Sequence, residues 1–308
     1  MARARRFIAA VLVIGCSRAM AAQAPANDAN WKLCQDANPD ISIAGCNGIV
    51  RSGREKGRSL AAVLAQRGIA YMALQDYDRA IQDFTDAIKL DPANVKAFAN
   101  RGAVYGAKQE FDSAIRDFDK VVTLAPSAAA YYDRGSMSRL TGQFDQAIRD
   151  YTEAIKLDPR FVDALINRAG ALAGTARCAE AIPDFTRVIE LSPNEATAYV
   201  DRGVCQETLG HDDLALEDFS AHLRLEPRSS YGLERRAAVR FRAGDYHRAL
   251  ADYAQALLVD PNSARALYGQ GVVKRITGDV RGGDADIASA TALRPRVAEE
   301  MALRGVKP

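Results

Sequence analysis

Hydrophobic and polar residues alternate along this chain with the period of an α-helix, and short polar turns separate the apolar stretches. From Ala80 to Ile88 the apolar residues fall at positions i, i+1, i+4, i+7 and i+8. This spacing places them on one face of a helix with about 3.6 residues per turn. A shorter apolar stripe through Leu64, Gly68 and Tyr71 precedes it, and the aspartates between the two stripes suit the start of a helix. The pattern therefore predicts two helices joined by a turn.

This hairpin pattern recurs through most of the chain at intervals of 33 or 34 residues. A proline closes each repeat, because the residue before a proline is pushed out of helical geometry. The prolines are Pro92, Pro126, Pro159, Pro193, Pro227, Pro261 and Pro295. A small residue keeps the same interval in the first helix, at Gly68, Gly102, Gly135, Ala169, Gly203, Ala237 and Gly271. A repeat of this length indicates a solenoid, in which each hairpin buries its apolar face against the next.

The repeated positions resemble the tetratricopeptide repeat. Its bulky, small and aromatic residues and its closing proline are carried in the first repeat by Leu64, Gly68, Phe84 and Pro92. The resemblance implies an all-α fold, an α-solenoid of about seven helix-turn-helix repeats in a right-handed superhelix. The predicted repeats span residues 61–94, 95–127, 128–161, 162–195, 196–229, 230–263 and 264–297. An N-terminal cap with a degenerate half-repeat is expected at 22–60, and a C-terminal capping segment at 298–308.

Residues 1–21 are organised like a secretory signal peptide. Basic residues come first, an apolar stretch from Phe7 to Cys16 follows, and Ala19-Met20-Ala21 forms an Ala-x-Ala cleavage site. This stretch is too short to span a bilayer, which needs about 20 apolar residues. We therefore expect a periplasmic or secreted protein without a transmembrane span. Val13 to Cys16 also resemble a bacterial lipobox, and in that alternative Cys16 carries a lipid and the protein is a membrane-anchored lipoprotein.

Four cysteines remain once Cys16 is set aside, an even number that suits an oxidising compartment. Cys34 and Cys46 lie in the degenerate unit ahead of the first repeat, and Cys178 and Cys205 lie in neighbouring repeats. We predict two local disulfides, Cys34–Cys46 and Cys178–Cys205. The alternative is buried free thiols, which are common core residues.

Charged residues also keep the repeat interval. The first helices carry Arg67, Arg101, Arg134, Arg168, Arg202 and Arg236. The second helices carry Asp83, Asp117, Asp150, Asp184, Asp218, Asp252 and Asp286. Because one charge of each sign accompanies each of the first six repeats, we interpret them as ion pairs within or between hairpins. The alternative is an arginine ladder for acidic ligands.

The residue before each arginine is the candidate binding position. In tetratricopeptide folds the first helices line the concave face, and this register resembles the asparagine ladder of O-linked N-acetylglucosamine transferase, which holds an extended peptide. Asn100 and Asn167 match it, whereas Asp133 and Asp201 only accept hydrogen bonds while ionised, which favours a partner with donors or positive charge. Anchors toward the C-terminal end are predicted at Tyr231, Arg235, Tyr268 and Arg275. The alternative is that these groove residues only cap helices or face solvent.

The net charge and the histidine content exclude some classes of function. The formal net charge is only +2, and neither half of the chain is densely basic, which argues against nucleic-acid binding. The three histidines are scattered, so no catalytic residues, metal or cofactor are predicted. We expect a non-enzymatic scaffold of the bacterial cell envelope that binds a peptide or partner protein in its concave groove. The alternative is a lipid-anchored adaptor subunit of an envelope enzyme or of a secretion or assembly complex.

Overall fold

The computed structural model describes residues 29–307, so the predicted signal peptide and Cys16 lie outside the described residues. Within this range all regular elements are α-helices. Two helices precede the repeats, α1 (Ala29–Cys34) and α2 (Pro39–Ser52). Helix pairs follow: α3 (Gly57–Ala73) with α4 (Tyr77–Leu90), α5 (Val95–Ala107) with α6 (Phe111–Leu124), α7 (Ala128–Leu140) with α8 (Phe144–Leu157), α9 (Val162–Gly174) with α10 (Cys178–Leu191), α11 (Ala196–Thr208) with α12 (Asp212–Leu225), α13 (Ser230–Arg242) with α14 (Tyr246–Val259), and α15 (Ala264–Ile276) with α16 (Val280–Leu293). A short helix, α17 (Val297–Ala302), ends the series.

The described chain forms two compact units. The first unit, up to Phe161, contains α1 to α8, and the second unit, from Val162, contains α9 to α17. Inside each unit the two helices of a pair pack together, and each second helix packs on the first helix of the next pair. First helices also touch each other, α3 with α5 in the first unit and α9 with α11, α13 with α15 in the second. We call the side of the first helices that carries Asn100 and Asp133 in the first unit, and Asn167, Asp201 and Arg235 in the second, the inner face of that unit.

Small residues recur in the first helices because an aromatic ring of the second helix lies against them. A Cβ atom on Gly68 would lie 2.8 Å from the Phe84 ring, and one on Gly203 would lie 2.8 Å from the Phe219 ring. Both rings are fully buried. This close approach explains why glycine is kept in a helix interior, where it costs about 1 kcal/mol relative to alanine.

The repeated arginines and aspartates form ion pairs inside the first six hairpins, as predicted. In each case Nε and Nη2 of the arginine donate to the two carboxylate oxygens of the aspartate at 2.5 to 3.0 Å. The pairs are Arg67–Asp83, Arg101–Asp117, Arg134–Asp150, Arg168–Asp184, Arg202–Asp218 and Arg236–Asp252. In the seventh hairpin Gln270 takes the place of the arginine, and Asp286 pairs with Lys274 instead. The aspartates are buried, and the hydrogen bonds they accept raise the pKa of the arginines at 67, 101, 134 and 202. These arginines therefore stabilise the hairpins and are not a ladder for acidic ligands.

Several of these arginines also bond the preceding hairpin of the same unit. Nη1 of Arg101 donates to Thr85 Oγ1 at 2.9 Å. Nη1 of Arg202 donates to Thr186 Oγ1 at 3.0 Å. Arg134 uses Nη1 in the same way, with the Asp119 carboxylate as acceptor at 2.8 Å. Each of these guanidinium groups therefore bonds the second helix of its own hairpin and the second helix of the preceding hairpin.

The two predicted disulfides have different outcomes. Cys34 and Cys46 are bonded and tie α1 to α2, as predicted. Cys178 and Cys205 are instead buried free thiols, so the prediction of a second disulfide is wrong for this structure. Burial raises the pKa of the Cys205 thiol, and both cysteines are buried as free thiols commonly are in a protein core. They belong to the packed core of the second unit.

Residues after α16 close the second unit. Val297, Met301 and Val306 are almost fully buried and share one apolar cluster with Phe241 and Tyr253. None of the helices between residues 29 and 307 combines the length and the apolar content that crossing a membrane requires.

Candidate functional site

The candidate site on the first unit is built on α5 and α7. Arg101 and Arg134 turn toward the second helices, where they pair with Asp117 and Asp150. Consecutive residues on a helix point about 100° apart. Asn100 and Asp133, one residue earlier, are therefore directed away from those pairs, onto the inner face.

Asp133 differs from the repeated aspartates of the second helices. Its side chain is partly buried, yet within the described residues it accepts no hydrogen bond and forms no ion pair. The neighbouring Arg134 is fully used by Asp150 and Asp119. Burial alone raises the pKa of the Asp133 carboxyl to about 7. Near neutral pH this group exists in both protonation states, and its charged form has no cation beside it.

Asn100 is the second polar group at this position. The residue is only 5% exposed, and its amide makes no side-chain hydrogen bond to another described residue. A primary amide offers two donors and an acceptor. The inner face of the first unit therefore presents a carboxyl and an amide whose hydrogen-bonding capacity the fold leaves unused.

Tyr132, the residue before Asp133, packs on other aromatic groups. Its ring lies 4.8 Å from that of Phe161 and 5.8 Å from that of Tyr151, measured between centroids. Tyr132 is partly exposed.

The predicted residues of the second unit are arranged differently. Asn167 is 6% exposed, and both Asn167 and Asp201 already interact with other groups of the protein. Arg235 donates to Glu207 at 2.8 Å, and its guanidinium lies 5.3 Å from the centre of the Tyr231 ring. Tyr231 remains 40% exposed. Most of this inner face is therefore engaged by the protein itself.

Two further predicted anchors differ from each other. Tyr268 is 5% exposed and belongs to the apolar cluster of the second unit, so its prediction as a surface anchor is wrong. Arg275 is exposed and pairs with Asp284 on α16 at 3.4 Å, and its role as an anchor stays a prediction. Sequence register gives the angle of a residue around its own helix, whereas its burial depends on what the adjoining helix places there.

Sequence reasoning missed a cluster of charges around α13. Arg242 donates to Asp212 and Glu207, and Arg265 donates to the buried Glu234. Glu207 thereby joins two arginines of the next hairpin. These residues do not recur at the repeat interval, so the pattern held no signal for them.

No metal centre accompanies these groups in the part of the chain that the structure describes, where at no point do three or more His, Cys, Asp or Glu side chains gather as ligands.

Comparison with known proteins identifies the fold. Models described as TPR repeat or tetratricopeptide repeat match residues 68–109, 95–127, 128–161, 173–230 and 235–281. A comparison with curated proteins found no match.

Solved structures of the same architecture cover much of the chain. The C-terminal part of a TPR repeat-containing protein from Cytophaga hutchinsonii aligns with a TM-score of 0.63 and 18% identity, over 77% of this chain and 97% of its own. MamA aligns with a TM-score of 0.52 and 27% identity, over 55% of this chain and 92% of its own. YrrB, described as a TPR protein with an unusual peptide-binding site, aligns with a TM-score of 0.56 and 22% identity, over 61% of this chain and 97% of its own. The chain belongs to the tetratricopeptide repeat family.

Proposed function

We propose that this protein is a non-enzymatic interaction scaffold whose first unit binds an extended peptide on its inner face. Asp133 pairs with a lysine or arginine of the partner, and Asn100 bonds the partner's backbone. The observation that carries the proposal is the partly buried carboxylate of Asp133, which has no cationic partner among the described residues.

The energetic argument compares Asp133 with Asp117 and Asp150 in the same unit. Those two carboxylates are buried and each is held by a bidentate arginine. A charged group that is buried without a partner disfavours the folded state. Groups retained at such a cost are typical of binding sites, where the ligand supplies the missing interaction.

The partner's chemistry follows from the same groups. A cation placed beside Asp133 would restore a charge-assisted hydrogen bond, which contributes about 1.5–3 kcal/mol. Asn100 can both donate to and accept from a peptide backbone, so it tolerates different partner sequences. Tyr132 offers packing for the methylene groups of a basic side chain. The preferred ligand is therefore an extended segment with one basic residue in register with Asp133. YrrB indicates that this fold can carry a peptide-binding site.

A peptide array tests the proposal directly. The full-length protein is probed against immobilised peptides in which each position of a polyalanine-based decamer is replaced in turn by lysine, arginine, glutamate or leucine. We expect lysine or arginine to enhance binding at one position, and Asp133→Asn to remove that enhancement. Asp112→Asn is the matched control, because it deletes the same charge at an exposed position of α6. Equal selection of basic residues by the Asp133→Asn variant would refute the site.

The proposed place of action is the cell envelope, and the N-terminal sequence supports it. The basic, apolar and Ala-x-Ala segments of residues 1–21 favour export with cleavage near Ala21. In the alternative, Cys16 is lipidated and the protein acts as an anchored adaptor subunit. Fractionation of cells expressing the full-length chain, with labelled palmitate and a Cys16→Ser variant, distinguishes the two. Recovery in the cytoplasm at full length contradicts both.

A further inference from the structure

An open cavity of about 150 Å³ lies in the second unit between α12, α13 and α14. Its polar lining comes from Ser220 and Arg224 of α12, Arg236 of α13 and Gln255 of α14, and none of the described residues around it is acidic. A cavity of this volume accommodates a molecule of about six non-hydrogen atoms, such as benzene. It is therefore large enough for a small oxyanion. We call it the arginine cavity.

The side chain at position 233 explains why the arginine cavity is open. In α5 and α7 the equivalent residues are Phe98 and Tyr131, whose ring centres lie 5.8 and 5.7 Å from the guanidinium carbon of the arginine three residues later. In α13 the equivalent residue is Leu233, which lines the cavity. A leucine side chain is shorter than an aromatic one, so space remains beside the guanidinium of Arg236.

Arg224 is the first cation of the lining, and its charge is not neutralised. The equivalent residue in α4 is Lys89, which pairs at 2.8 Å with Asp86, three residues before it. Three residues before Arg224 stands Ala221, which has no charge to offer. Arg224 is exposed and forms no ion pair or hydrogen bond with any other described side chain. Its guanidinium therefore keeps its full donor capacity at the edge of the cavity.

Arg236 is the second cation, and it shares its carboxylate partner. Asp252 accepts from Arg236 and also from Nη1 of Arg240 at 2.6 Å, so two arginines divide one negative charge. Nη1 of Arg236 donates to Ser220 Oγ, a second residue of the lining, at 3.4 Å. The corresponding bonds in α5, α7 and α11 are 2.8 to 3.0 Å long. The bridge between these two hairpins is therefore weak, and positive charge is in excess beside it.

The remaining polar groups of the lining also offer donors. The Ser220 hydroxyl accepts from Arg236, and its own O–H donates to no described residue. The amide of Gln255 carries two N–H donors and makes no hydrogen bond within the part of the chain that the structure describes. Two guanidinium groups, a hydroxyl and an amide thus meet at one cavity. Charge-assisted hydrogen bonds from arginine to phosphate oxygens are among the strongest in proteins.

We propose that the arginine cavity binds a phosphate group, held by Arg224 and Arg236 and hydrogen-bonded by Ser220 and Gln255. Because these residues come from α12, α13 and α14, the bound group joins two hairpins whose own arginine bridge is long. The cavity shares no residue with the site around Asp133, so each proposal stands or fails separately.

Isothermal titration calorimetry of the full-length protein with inorganic phosphate, at constant ionic strength, tests the proposal. We expect saturable binding at one site and an affinity at least tenfold lower in Arg224→Gln, because a hydrogen bond between charged groups is lost. Arg281→Gln is the matched control, since it removes the same charge from an exposed position of α16 in the same unit and should leave the affinity unchanged. No saturable binding by the wild type, or equal binding by Arg224→Gln, overturns the proposal.

Leu233→Phe distinguishes the cavity from a general attraction between a basic surface and an anion. The variant keeps every donor and fills the space with a ring like that of Phe98, which the repeat accommodates at the equivalent position. It should therefore fold, which circular dichroism checks, and bind phosphate at least tenfold more weakly than the wild type. Wild-type affinity in a helical Leu233→Phe protein would show that the cavity is not the site.

A phosphate group reaches the cavity either as a free ion or on a lipid headgroup, and inorganic phosphate is the minimal ligand in both cases. Sedimentation with phosphatidylglycerol vesicles distinguishes the two sources. Cosedimentation of the wild type that Leu233→Phe abolishes would assign a lipid headgroup. Calorimetric binding of phosphate without cosedimentation would assign a soluble phosphate compound.

Discussion

Replacing Asp133 by asparagine should stabilise the protein at pH 8. Asparagine has nearly the same shape but carries no charge, so it removes the cost of a buried carboxylate without a cation. The pKa of this carboxyl rises from 3.8 to about 7 on folding. At about 1.4 kcal/mol per pKa unit, this rise in pKa corresponds to a destabilisation of the folded state by at most about 4 kcal/mol. Because part of the residue stays in water, screening reduces this figure, and we expect a gain of about 2 kcal/mol in the free energy of unfolding.

The gain in stability from Asp133→Asn depends on pH. Between pH 3.8 and about 7 the folded protein keeps a proton on Asp133 that the unfolded chain has released. The unfolded state binds fewer protons in this window, so the stability of the wild type falls as pH rises through it. The asparagine variant does not take part in this titration. Its advantage should therefore be complete above pH 7 and fall to about a quarter near pH 4.5.

Urea unfolding followed by circular dichroism measures the stability gain of the Asp133→Asn variant at pH 8 and at pH 4.5. All other titrating groups are common to the two proteins, so the difference between their pH profiles isolates Asp133. Asp117→Asn is the control of opposite sign, because it leaves Arg101 without its bidentate partner and should destabilise the protein. If Asp133→Asn were neutral or destabilising at pH 8, the carboxylate would have a cationic partner in solution, and the argument for an unmet charge would fail.

Three further outcomes follow from the packing. Gly203→Val should cost about 1–3 kcal/mol in unfolding free energy by crowding the Phe219 ring, measured by urea denaturation, without a direct effect on peptide binding by the first unit. The thiols of Cys178 and Cys205 should react with iodoacetamide only as the protein unfolds, because both are buried; rapid labelling of the folded protein would contradict the structure. Cys34→Ser should lower the stability of the N-terminal helices by about 2–3 kcal/mol, seen as faster hydrogen exchange there while the later repeats keep their protection.

Features tied to the repeat could be predicted from the sequence. Arg134 and Asp150 have counterparts at equivalent positions in six of the seven hairpins, so a pairing that satisfies one of these repeats satisfies the others. Pro183 lies inside α10 and is exposed, yet α10 begins at Cys178 like its counterparts. Packing on both sides of α10 outweighs the loss of one backbone donor.

Features that break the repeat could not be predicted. Register placed Asp133 on a candidate surface, but its lack of a partner depends on how Arg134 divides its donors between Asp150 and Asp119. Residues 303–307 have no counterpart at the repeat interval, so the repeat pattern could not predict where Arg304 lies. Binding chemistry in a repeat protein tends to lie where the period is broken, and that is where pattern analysis has least information.

The bridging arginines have a consequence for how such a chain can change in length. Within the units, Arg101, Arg134, Arg202 and Arg236 join their own hairpin to the one before it. Each bonds a carboxylate on one side and an acceptor such as Thr85 or Thr186 on the other. These hairpins therefore offer their neighbours matching ends. A block of one interval can be duplicated or lost among them, and the new junction finds its donor and acceptor already in place. Unequal recombination between these repeats would thus yield folded descendants with altered inner faces, whereas an insertion inside a first helix would rotate the guanidinium away from both acceptors.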